Sequence, residues 1–250
     1  MPADHLKIYS GDYFSGAQGG FGYADYDRDK APMEATFFKY LDRIEAAGAK
    51  GGMLDVGAAT GFFLDLARRR GWSVHGVEPS SYAAQLGQAK GIDVRAGTLE
   101  DQNFPAGSFD AVTLWDVIEH LPDPNTTLQR IHALLKSGGV LAINTPDSAS
   151  LLAHIMGLNW HLVTPPEHLN LFHRKSIRTL LEREGYEVLQ VANIGKTFTV
   201  QYVLQILNHW TGADVFNSAA QWARSRRIGS WGIPINLLDN MFVLARKRES

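Results

Sequence analysis

The chain has 250 residues, of which 45% are hydrophobic and 20% are charged, so its length and composition are those of an ordinary globular protein with one α/β domain and an elaboration. Its formal net charge is −2 and its Lys and Arg residues form no long block, which gives little support for a nucleic-acid partner. The absence of cysteine excludes disulfide bonds and thiolate metal sites and is compatible with a reducing cytosol.

The first 31 residues precede the regular pattern of the chain and are rich in tyrosine, phenylalanine, glycine and aspartate. Asp4 and Lys7 interrupt any apolar run there, so the segment does not resemble a secretory signal, and no stretch of the chain is long and apolar enough to span a bilayer. We therefore expect a cytoplasmic protein without stable membrane insertion. We interpret residues 1–31 as a cap segment, with Tyr13 and Phe14 as candidate substrate contacts.

The first predicted strand runs into a loop of small residues that leaves as a helix. The strand ends beside the carboxylate of Asp55, and the glycines from Gly57 to Gly61 let backbone N–H groups at a helix N-terminus approach a ligand closely. The next strand ends at Glu78, which lies 17 residues after Gly61. An acidic residue about 20 residues past a glycine loop is where a ribose hydroxyl pair is bound. The spacing therefore predicts a nucleoside site.

The loop excludes two common nucleotide sites. A dinucleotide fingerprint needs glycine at its first, third and sixth positions, which here are Gly57, Ala59 and Phe62. A phosphate-cradling P-loop needs Gly-Lys-Ser/Thr, which is absent from this loop. The loop therefore suits a nucleoside that carries no pyrophosphate.

Helices and strands are predicted to alternate along the chain. Four helices end in cationic or polar residues followed by a glycine, at Gly71, Gly91, Gly138 and Gly185, and the third ends in the turn Leu135-Lys136-Ser137. Strand and helix in alternation favour a parallel sheet with helices on both faces. The predicted strands are residues 53–56, 73–77, 93–96, 109–114, 140–144, 186–191 and 241–245.

These elements predict a core at residues 32–194, completed by a last strand and tail at residues 239–250. Residues 195–238 are inserted before that last strand, and their first half, Phe198–Trp210, is apolar nearly all round, which predicts a buried helix. Because a long connection is usually functional, we interpret this insertion as a helical cap over the substrate. An added surface layer, a homodimer contact and an amphipathic membrane-surface contact are the alternatives.

The motifs resemble those of the class I S-adenosylmethionine-dependent methyltransferases. Asp55–Gly61 is similar to the first motif of that family, D-x-G-x-G-x-G, with Ala59 in place of the middle glycine. Further matches follow in order over roughly residues 50–185, including the strand and turn Phe109–Leu121. Residues 166–172 resemble the Pro-Glu-His-Leu-x-x-Phe segment of a bacterial small-molecule subfamily similar to the quinone-type O-methyltransferases. The resemblance implies a Rossmann-like, seven-stranded sheet of order 3-2-1-4-5-7-6, with its last strand antiparallel.

The resemblance also implies S-adenosylmethionine as cofactor and S-adenosylhomocysteine as product. Glu78 would accept hydrogen bonds from both ribose hydroxyls, and the backbone N–H of Leu99 would donate to the adenine. Thr98 takes the usual aspartate position, which leaves its bond to the adenine amine open. The positions that match cofactor-binding positions of the family are Asp55, Gly57, Ala58, Ala59, Gly61, Phe62, Glu78, Pro79, Thr98, Leu99, Trp115 and Asp116.

Two histidines are candidates for a general base, which a hydroxyl acceptor would need. His168 lies in the Pro-Glu-His-Leu segment, and His120 follows the fourth strand; a purely structural role is open for each. In relatives that methylate quinone-ring hydroxyls, acidic residues and histidine near His120 have been linked to a divalent cation or to a base. We assign no metal ligand. Trp160, His161 and Phe172 are candidate substrate contacts.

The predicted function is methyl transfer to a small molecule, with a hydroxyl oxygen as the favoured acceptor. Nitrogen methylation stays open, because a neutral amine needs less help from a base. A non-catalytic protein that binds the cofactor or its product is the alternative from another class.

Overall fold

The computed structural model describes residue 27 and residues 30–194, 196–226, 228–230, 232–235 and 237–249. Tyr13 and Phe14 lie outside the described residues, and with them nearly all of the predicted cap segment at residues 1–31. Their assignment to the substrate site therefore stays a prediction.

Strands and helices alternate through the core, as the sequence predicts. The strands are β1 (Gly52–Val56), β2 (Ser73–Glu78), β3 (Asp93–Ala96), β4 (Phe109–Trp115), β5 (Leu135–Pro146), β6 (Tyr186–Ala192), β7 (Lys196–Thr199), β8 (Gly232–Ile235) and β9 (Asn240–Lys247). The helices are α1 (Glu34–Ala46), α2 (Phe62–Arg69), α3 (Ser81–Ala89), α4 (Pro124–Leu134), α5 (Leu151–Met156), α6 (Arg174–Arg183), α7 (Val200–Thr211) and α8 (Asp214–Ser225).

Seven of these strands form one sheet in the order β3-β2-β1-β4-β5-β9-β6. The first five run parallel, whereas β9 lies antiparallel between β5 and β6. Since β9 is the seventh strand of this sheet along the chain, the predicted order 3-2-1-4-5-7-6 is confirmed. The strand order reverses between β1 and β4, and ligands of such sheets bind beyond the carboxyl ends of the strands at this point.

The sheet separates two apolar clusters. Alternate residues of β1 face opposite sides, so Met53 packs with side chains of α1 and α2, whereas Leu54 packs with side chains of α4 and α6. Both residues are fully buried. The prediction of helices on both faces is therefore confirmed, and the first turn of α2 is fixed against the carboxyl end of β1.

Three of the four predicted helix stops are confirmed. Gly71, Gly91 and Gly185 follow α2, α3 and α6, and each has a positive φ, of 88°, 73° and 88°. The third prediction was wrong, because α4 ends at Leu134 and Leu135–Ser137 belong to β5. Leu135 is fully buried and pairs with Phe109 of β4, so tertiary pairing overrides the local helix signal.

The insertion contains helices and a small sheet. β7 and β8 pair antiparallel, and α7 and α8 lie between them in the chain. The predicted helix from Phe198 begins only at Val200, since Phe198 and Thr199 pair with Ile233 and Gly232. Among the described residues, no helix combines the length and the apolarity needed to cross a membrane.

Candidate functional site

A small cavity lies where β1 and β4 end, at the reversal of strand order. Its volume is about 30 Å³, enough for a water-sized polar group. Half of the twelve predicted cofactor residues line this cavity: Asp55, Gly57, Ala58, Phe62, Trp115 and Asp116. The other residues around it were not predicted, and they are Lys30, Met33, Phe37, Tyr40, Phe63 and Asn144.

The glycine loop is held tightly against the neighbouring strand. The backbone N–H groups of Gly57 and Ala58 both donate to the carbonyl oxygen of Val77, at 2.9 and 3.0 Å. Gly57 has a φ of 76°, and a Cβ there would lie 2.5 Å from Cγ2 of Val117. Only glycine fits this position, both for its backbone conformation and for the space available.

Glu78 ends β2 and turns its carboxylate back to the loop. Its side chain is buried, with Oε2 accepting from the N–H of Ala59 at 2.9 Å and Oε1 from the N–H of Ser80 at 2.8 Å. Burial raises the pKa of Glu78, and the two backbone hydrogen bonds oppose that rise. A carboxylate oxygen accepts more than one hydrogen bond, so both oxygens keep a lone pair for a hydroxyl group.

The two residues predicted to contact adenine, Thr98 and Leu99, differ in burial and in their contacts. The N–H and the hydroxyl of Thr98 both donate to Oδ2 of Asp101, at 2.8 Å each, and these bonds lower the pKa of Asp101. The Thr98 hydroxyl proton is thus used within the loop. Leu99 is buried, and its side chain packs in the cluster with α4 and α6. Their contacts with adenine stay predictions.

Asp55 is buried at the carboxyl end of β1. Burial raises its pKa to about 8, the negative charge of Glu78 adds to the rise, and the Thr113 hydroxyl, which donates to Oδ1 at 2.6 Å, opposes it. Asp55 is therefore mainly uncharged at neutral pH.

Asp116 leaves β4 in the left-handed region, with a φ of 56°. Its carboxylate oxygen Oδ1 accepts from Nδ2 of Asn144 at 2.5 Å, and Oδ1 of Asn144 accepts from the Tyr40 hydroxyl at 3.0 Å. Tyr40 and Asn144 were not predicted from the sequence. The position of Asn144 near the carboxyl end of a strand was a usable signal, whereas Tyr40 lies on α1 among apolar residues and offered none.

Trp115 carries an unsatisfied polar atom at the cavity. Its ring stacks on Tyr40, with centroids 4.7 Å apart, and packs edge-on against Phe63 at 5.0 Å. Its buried Nε1 has no hydrogen-bond partner among the described residues. A buried donor without a partner indicates a polar ligand group. Nε1 of Trp115 and the carboxylates of Glu78 and Asp116 make this end of the sheet fit an adenosine with an amino-acid tail. The amino-acid tail would lie at the cavity, and the nucleoside would lie at Glu78, which does not line the cavity.

The two candidate histidines lie side by side. The ring centroids of His120 and His168 are 4.6 Å apart. Nδ1 of His120 lies 2.9 Å from the carbonyl oxygen of Glu167, and Nδ1 of His168 lies 2.6 Å from that of Leu162. Because a carbonyl oxygen only accepts, each Nδ1 carries a hydrogen, and Nε2 of each neutral ring is the atom that can take a proton. Burial lowers the pKa of His120, which favours its neutral form.

Glu119 joins this pair from the short 3₁₀ turn Ile118–His120. Its carbonyl oxygen accepts from the N–H groups of Leu169 and Asn170, which brings the loop that carries His168 to the end of β4. Burial and the charge of Asp116 raise the pKa of the Glu119 carboxyl to about 7, while His168 and the hydroxyl of Thr145 oppose the rise.

The cluster of Glu119, His120 and His168 could also hold a divalent cation. Each residue offers one ligand atom, and these atoms lie within 4.8 Å of one another. Imidazole nitrogen and carboxylate oxygen are common ligands of several divalent metals. The sequence analysis assigned no metal ligand, and the arrangement allows either a base or a cation site.

The predicted substrate contacts in the described residues are largely buried. Trp160 donates from Nε1 to Oδ2 of Asp239 at 3.4 Å, and Nε2 of His161 lies 3.7 Å from the same oxygen. Phe172 packs in the cluster with α4 and α6. Trp160 and His161 lie in the segment before His168, and Phe172 lies after it. The direct contact of these side chains with a substrate stays a prediction.

A family model described as a methyltransferase domain matches residues 30–191. The chain belongs to this methyltransferase family. The predictions of a class I S-adenosylmethionine-dependent methyltransferase, of its cofactor and of its sheet are thereby confirmed, and the match covers most of the predicted core at residues 32–194. The roles of individual site residues in this methyltransferase stay predictions.

Sequence relatives of the methyltransferase include enzymes named ubiquinone biosynthesis O-methyltransferase. That of Pseudomonas aeruginosa is 34% identical over 148 residues, which are 55% of this chain and 62% of the relative. That of Xanthomonas oryzae pv. oryzae is 32% identical over 132 residues, which are 48% of this chain and 54% of the relative. The chain thus spans about half the length of the curated relatives that it matches.

Solved structures share the fold at low sequence identity. Phosphoethanolamine N-methyltransferase 2 of Haemonchus contortus, in complex with S-adenosyl-L-methionine, has a TM-score of 0.58 and 18% identity, over 86% of this chain and 53% of that one. Geranyl diphosphate C-methyltransferase of Streptomyces coelicolor, in complex with S-adenosyl-L-homocysteine, has a TM-score of 0.56 and 17% identity, over 86% of this chain and 76% of that one.

Proposed function

We propose that the protein transfers the methyl group of S-adenosylmethionine to a hydroxyl oxygen of a small molecule. The observation that carries this proposal is the cluster of His168, His120 and Glu119 beside Asp116, where β4 ends. A base at that place serves a hydroxyl acceptor, whose oxygen becomes a better nucleophile as its proton leaves. The names of the O-methyltransferase relatives support the same chemistry.

The cofactor supplies a methyl group on a sulfonium, which is an activated leaving group. The work of the chain is to hold two reactants in line and to exclude water, and such positioning supplies roughly 7–11 kcal/mol of the barrier. Glu78 would hold the ribose hydroxyls, while Trp115 and Asp116 would contact the amino-acid end. The buried rings of Tyr40 and Phe63 and the half-buried ring of Trp115 would keep water from the same place.

His168 is the proposed base. Its Nδ1–H is bound by the Leu162 carbonyl, so Nε2 would be the atom that takes the proton of the acceptor hydroxyl during methyl transfer. The Glu119 carboxylate is close enough to His168 for the two charges to interact, and it stabilises the imidazolium that results. His120 packs against the same ring and is kept neutral by burial.

The segments outside the core are proposed to enclose the acceptor. The apolar character of the insertion at residues 195–238 and the aromatic residues of segment 1–31 suit an acceptor with apolar surface, such as a substituted ring. A cytoplasmic location and a small-molecule acceptor belong to the same proposal. A homodimer contact through the insertion is the alternative use of that region.

A methyl-transfer assay on a panel of catechols, phenols and primary amines tests the proposal. We expect formation of S-adenosylhomocysteine that depends on a hydroxyl acceptor and is lost in His168→Gln. Turnover on amines alone would replace the proposal with nitrogen methylation, and binding of the cofactor without turnover on any acceptor would favour a non-catalytic protein. Loss of activity on treatment with EDTA, restored by a divalent cation, would assign the histidine cluster to a metal instead of a base.

A further inference from the structure

Asp116 is fixed by contacts from two distant parts of the chain. Its N–H donates to the carbonyl oxygen of Asn144 at 2.9 Å, and its Oδ1 accepts from Nδ2 of the same residue at 2.5 Å. Asn144 lies on β5, the strand paired with β4. The Tyr40 hydroxyl, from α1, donates to Oδ1 of Asn144 at 3.0 Å. Three side chains thus form one chain of hydrogen bonds that ends at the cavity.

The direction of this chain follows from the chemistry of its members. An ionised carboxylate only accepts hydrogen bonds, so Asn144 must turn its amide nitrogen toward Asp116. The amide oxygen then faces Tyr40, whose hydroxyl must donate. Burial raises the pKa of Tyr40 well above its usual range, and the negative charge of Asp116 adds to this rise, so the hydroxyl keeps its proton over the ordinary pH range.

Tyr40 and Asn144 are both shielded from water. Tyr40 is 1% exposed and Asn144 is 2% exposed. The Tyr40 ring is stacked between Trp115 and Phe242, with centroid distances of 4.7 and 5.1 Å, so its hydroxyl cannot swing away. Without that hydroxyl, the Asn144 oxygen would be buried without its donor, and a rotated amide would present oxygen to the Asp116 carboxylate.

We propose that Tyr40 and Asn144 are positioning residues, which hold the Asp116 carboxylate in the orientation that binds the ammonium group at the amino-acid end of the cofactor. The inference rests on the proposed function, in which Asp116 contacts that end. It assigns a role to two residues outside the motifs of the sequence, and it explains why a tyrosine rather than a phenylalanine stands at the centre of this aromatic cluster.

Binding of S-adenosylhomocysteine, measured by calorimetry, tests the inference in a double-mutant cycle. We expect Tyr40→Phe to raise the Kd about three- to tenfold, the value of one buried hydrogen bond, and Asp116→Asn to raise it about ten- to a hundredfold. The double variant should bind no more weakly than Asp116→Asn alone, because Tyr40 acts through Asp116. A merely structural role of Tyr40 predicts additive losses.

Tyr186→Phe is the matched control. Tyr186 is also fully buried, and its hydroxyl donates to the Leu128 carbonyl at 2.8 Å, in the cluster with α4 and α6. The Tyr186→Phe variant should lower the melting temperature about as much as Tyr40→Phe, while its Kd for S-adenosylhomocysteine should equal that of the wild type. If Tyr40→Phe folds poorly, Asn144→Ser can replace it in the double-mutant cycle with Asp116→Asn, since this substitution also removes the hydrogen bond to Asp116.

Two results for the Tyr40 variant would overturn the inference. One is a Kd for Tyr40→Phe equal to that of Tyr186→Phe; the other is an equal loss from Tyr40→Phe with and without the Asp116 carboxylate. Weakened binding in Glu78→Ala together with unchanged binding in Asp116→Asn would also reject it, while leaving the proposed function intact. Folded wild-type protein that fails to bind S-adenosylhomocysteine would instead reject the proposed function itself.

Discussion

The two ends of the site are built in different ways. The cofactor end, from Asp55 to Glu78, comes from one continuous strand–loop–helix–strand segment, with contacts such as Ala59 to Glu78 that span 19 residues. The proposed acceptor end joins residues 119–120 to the loop at residues 162–170, through contacts such as His120 to Glu167 that span 47 residues. The first end therefore depends on local backbone geometry, whereas the second depends on the docking of a long loop.

This difference predicts that variants at the two ends affect different steps. A change at the cofactor end should alter binding first, and a change at the acceptor end should alter turnover first. The first two of the four variants below test this separation, and the other two test how the cofactor end is held together. They are given in order of decreasing effect.

His168→Ala should cause the largest loss. Removal of a general base lowers kcat about 10²–10⁴-fold, while the Kd of the cofactor stays close to the wild-type value because the proposed contact of His168 is with the acceptor and not with the cofactor. Single-turnover kinetics and calorimetry on the same preparation measure both quantities. His120→Ala is the comparison, since we expect a smaller loss from a neighbour that only packs against the base. Equal losses in turnover and in cofactor affinity would remove His168 as the base.

Glu78→Ala should weaken cofactor binding about a hundredfold, the value of two hydrogen bonds to a charged group at roughly 1.5 kcal/mol each. At saturating cofactor, kcat should change little. Glu78→Gln keeps the shape and one acceptor, so its loss should be smaller. Because Glu78 also accepts from Ala59 and Ser80, the melting temperature must be measured alongside. Unchanged cofactor affinity in both variants would contradict the ribose assignment.

Some features of the site could be predicted from the sequence and others could not, for a physical reason. Gly57 and the carboxylate at the end of β2 can be recognised in the sequence, because the positive φ of the loop requires glycine and the carboxylate follows the loop at a fixed spacing. The contacts of Tyr40 and Asn144 could not be predicted in this way, although Asn144 stands near the end of a strand. Tyr40 meets Asn144 across 104 positions and Asn144 meets Asp116 across 28, only after the sheet and α1 have packed. Leu135–Ser137 shows the same limit, because a good local helix end yielded to pairing with β4.

Gly57→Ala should destabilise the fold by about 2–3 kcal/mol, from the left-handed backbone together with overpacking. The cause is specific, since the new Cβ would lie 2.5 Å from Cγ2 of Val117. Gly107→Ala is the matched control, because Gly107 has a φ of 64° but nothing lies within 4 Å of a Cβ built there. This variant should therefore be destabilised only by the left-handed backbone and not by overpacking. Chemical unfolding measures both. The double variant Gly57→Ala with Val117→Ala should recover part of the difference, and no recovery would reject the steric explanation.

Asp55→Asn should have the smallest effect near pH 4, and its main effect should be on the pH dependence of stability. The folded pKa of Asp55 is raised to about 8, above the value of roughly 3.9 for an unfolded chain. The folded state therefore binds more protons between these values, so this contribution to stability is complete below about pH 4 and is lost as the pH rises through 8. The free energy of unfolding of the wild type, relative to Asp55→Asn, should fall across that window. Thr113→Val removes the hydroxyl that lowers this pKa and should move the fall to higher pH. A difference that stays constant from pH 4 to 8 would show that Asp55 is ionised in the folded protein, and the cofactor end would then carry two negative charges beside the adenosine.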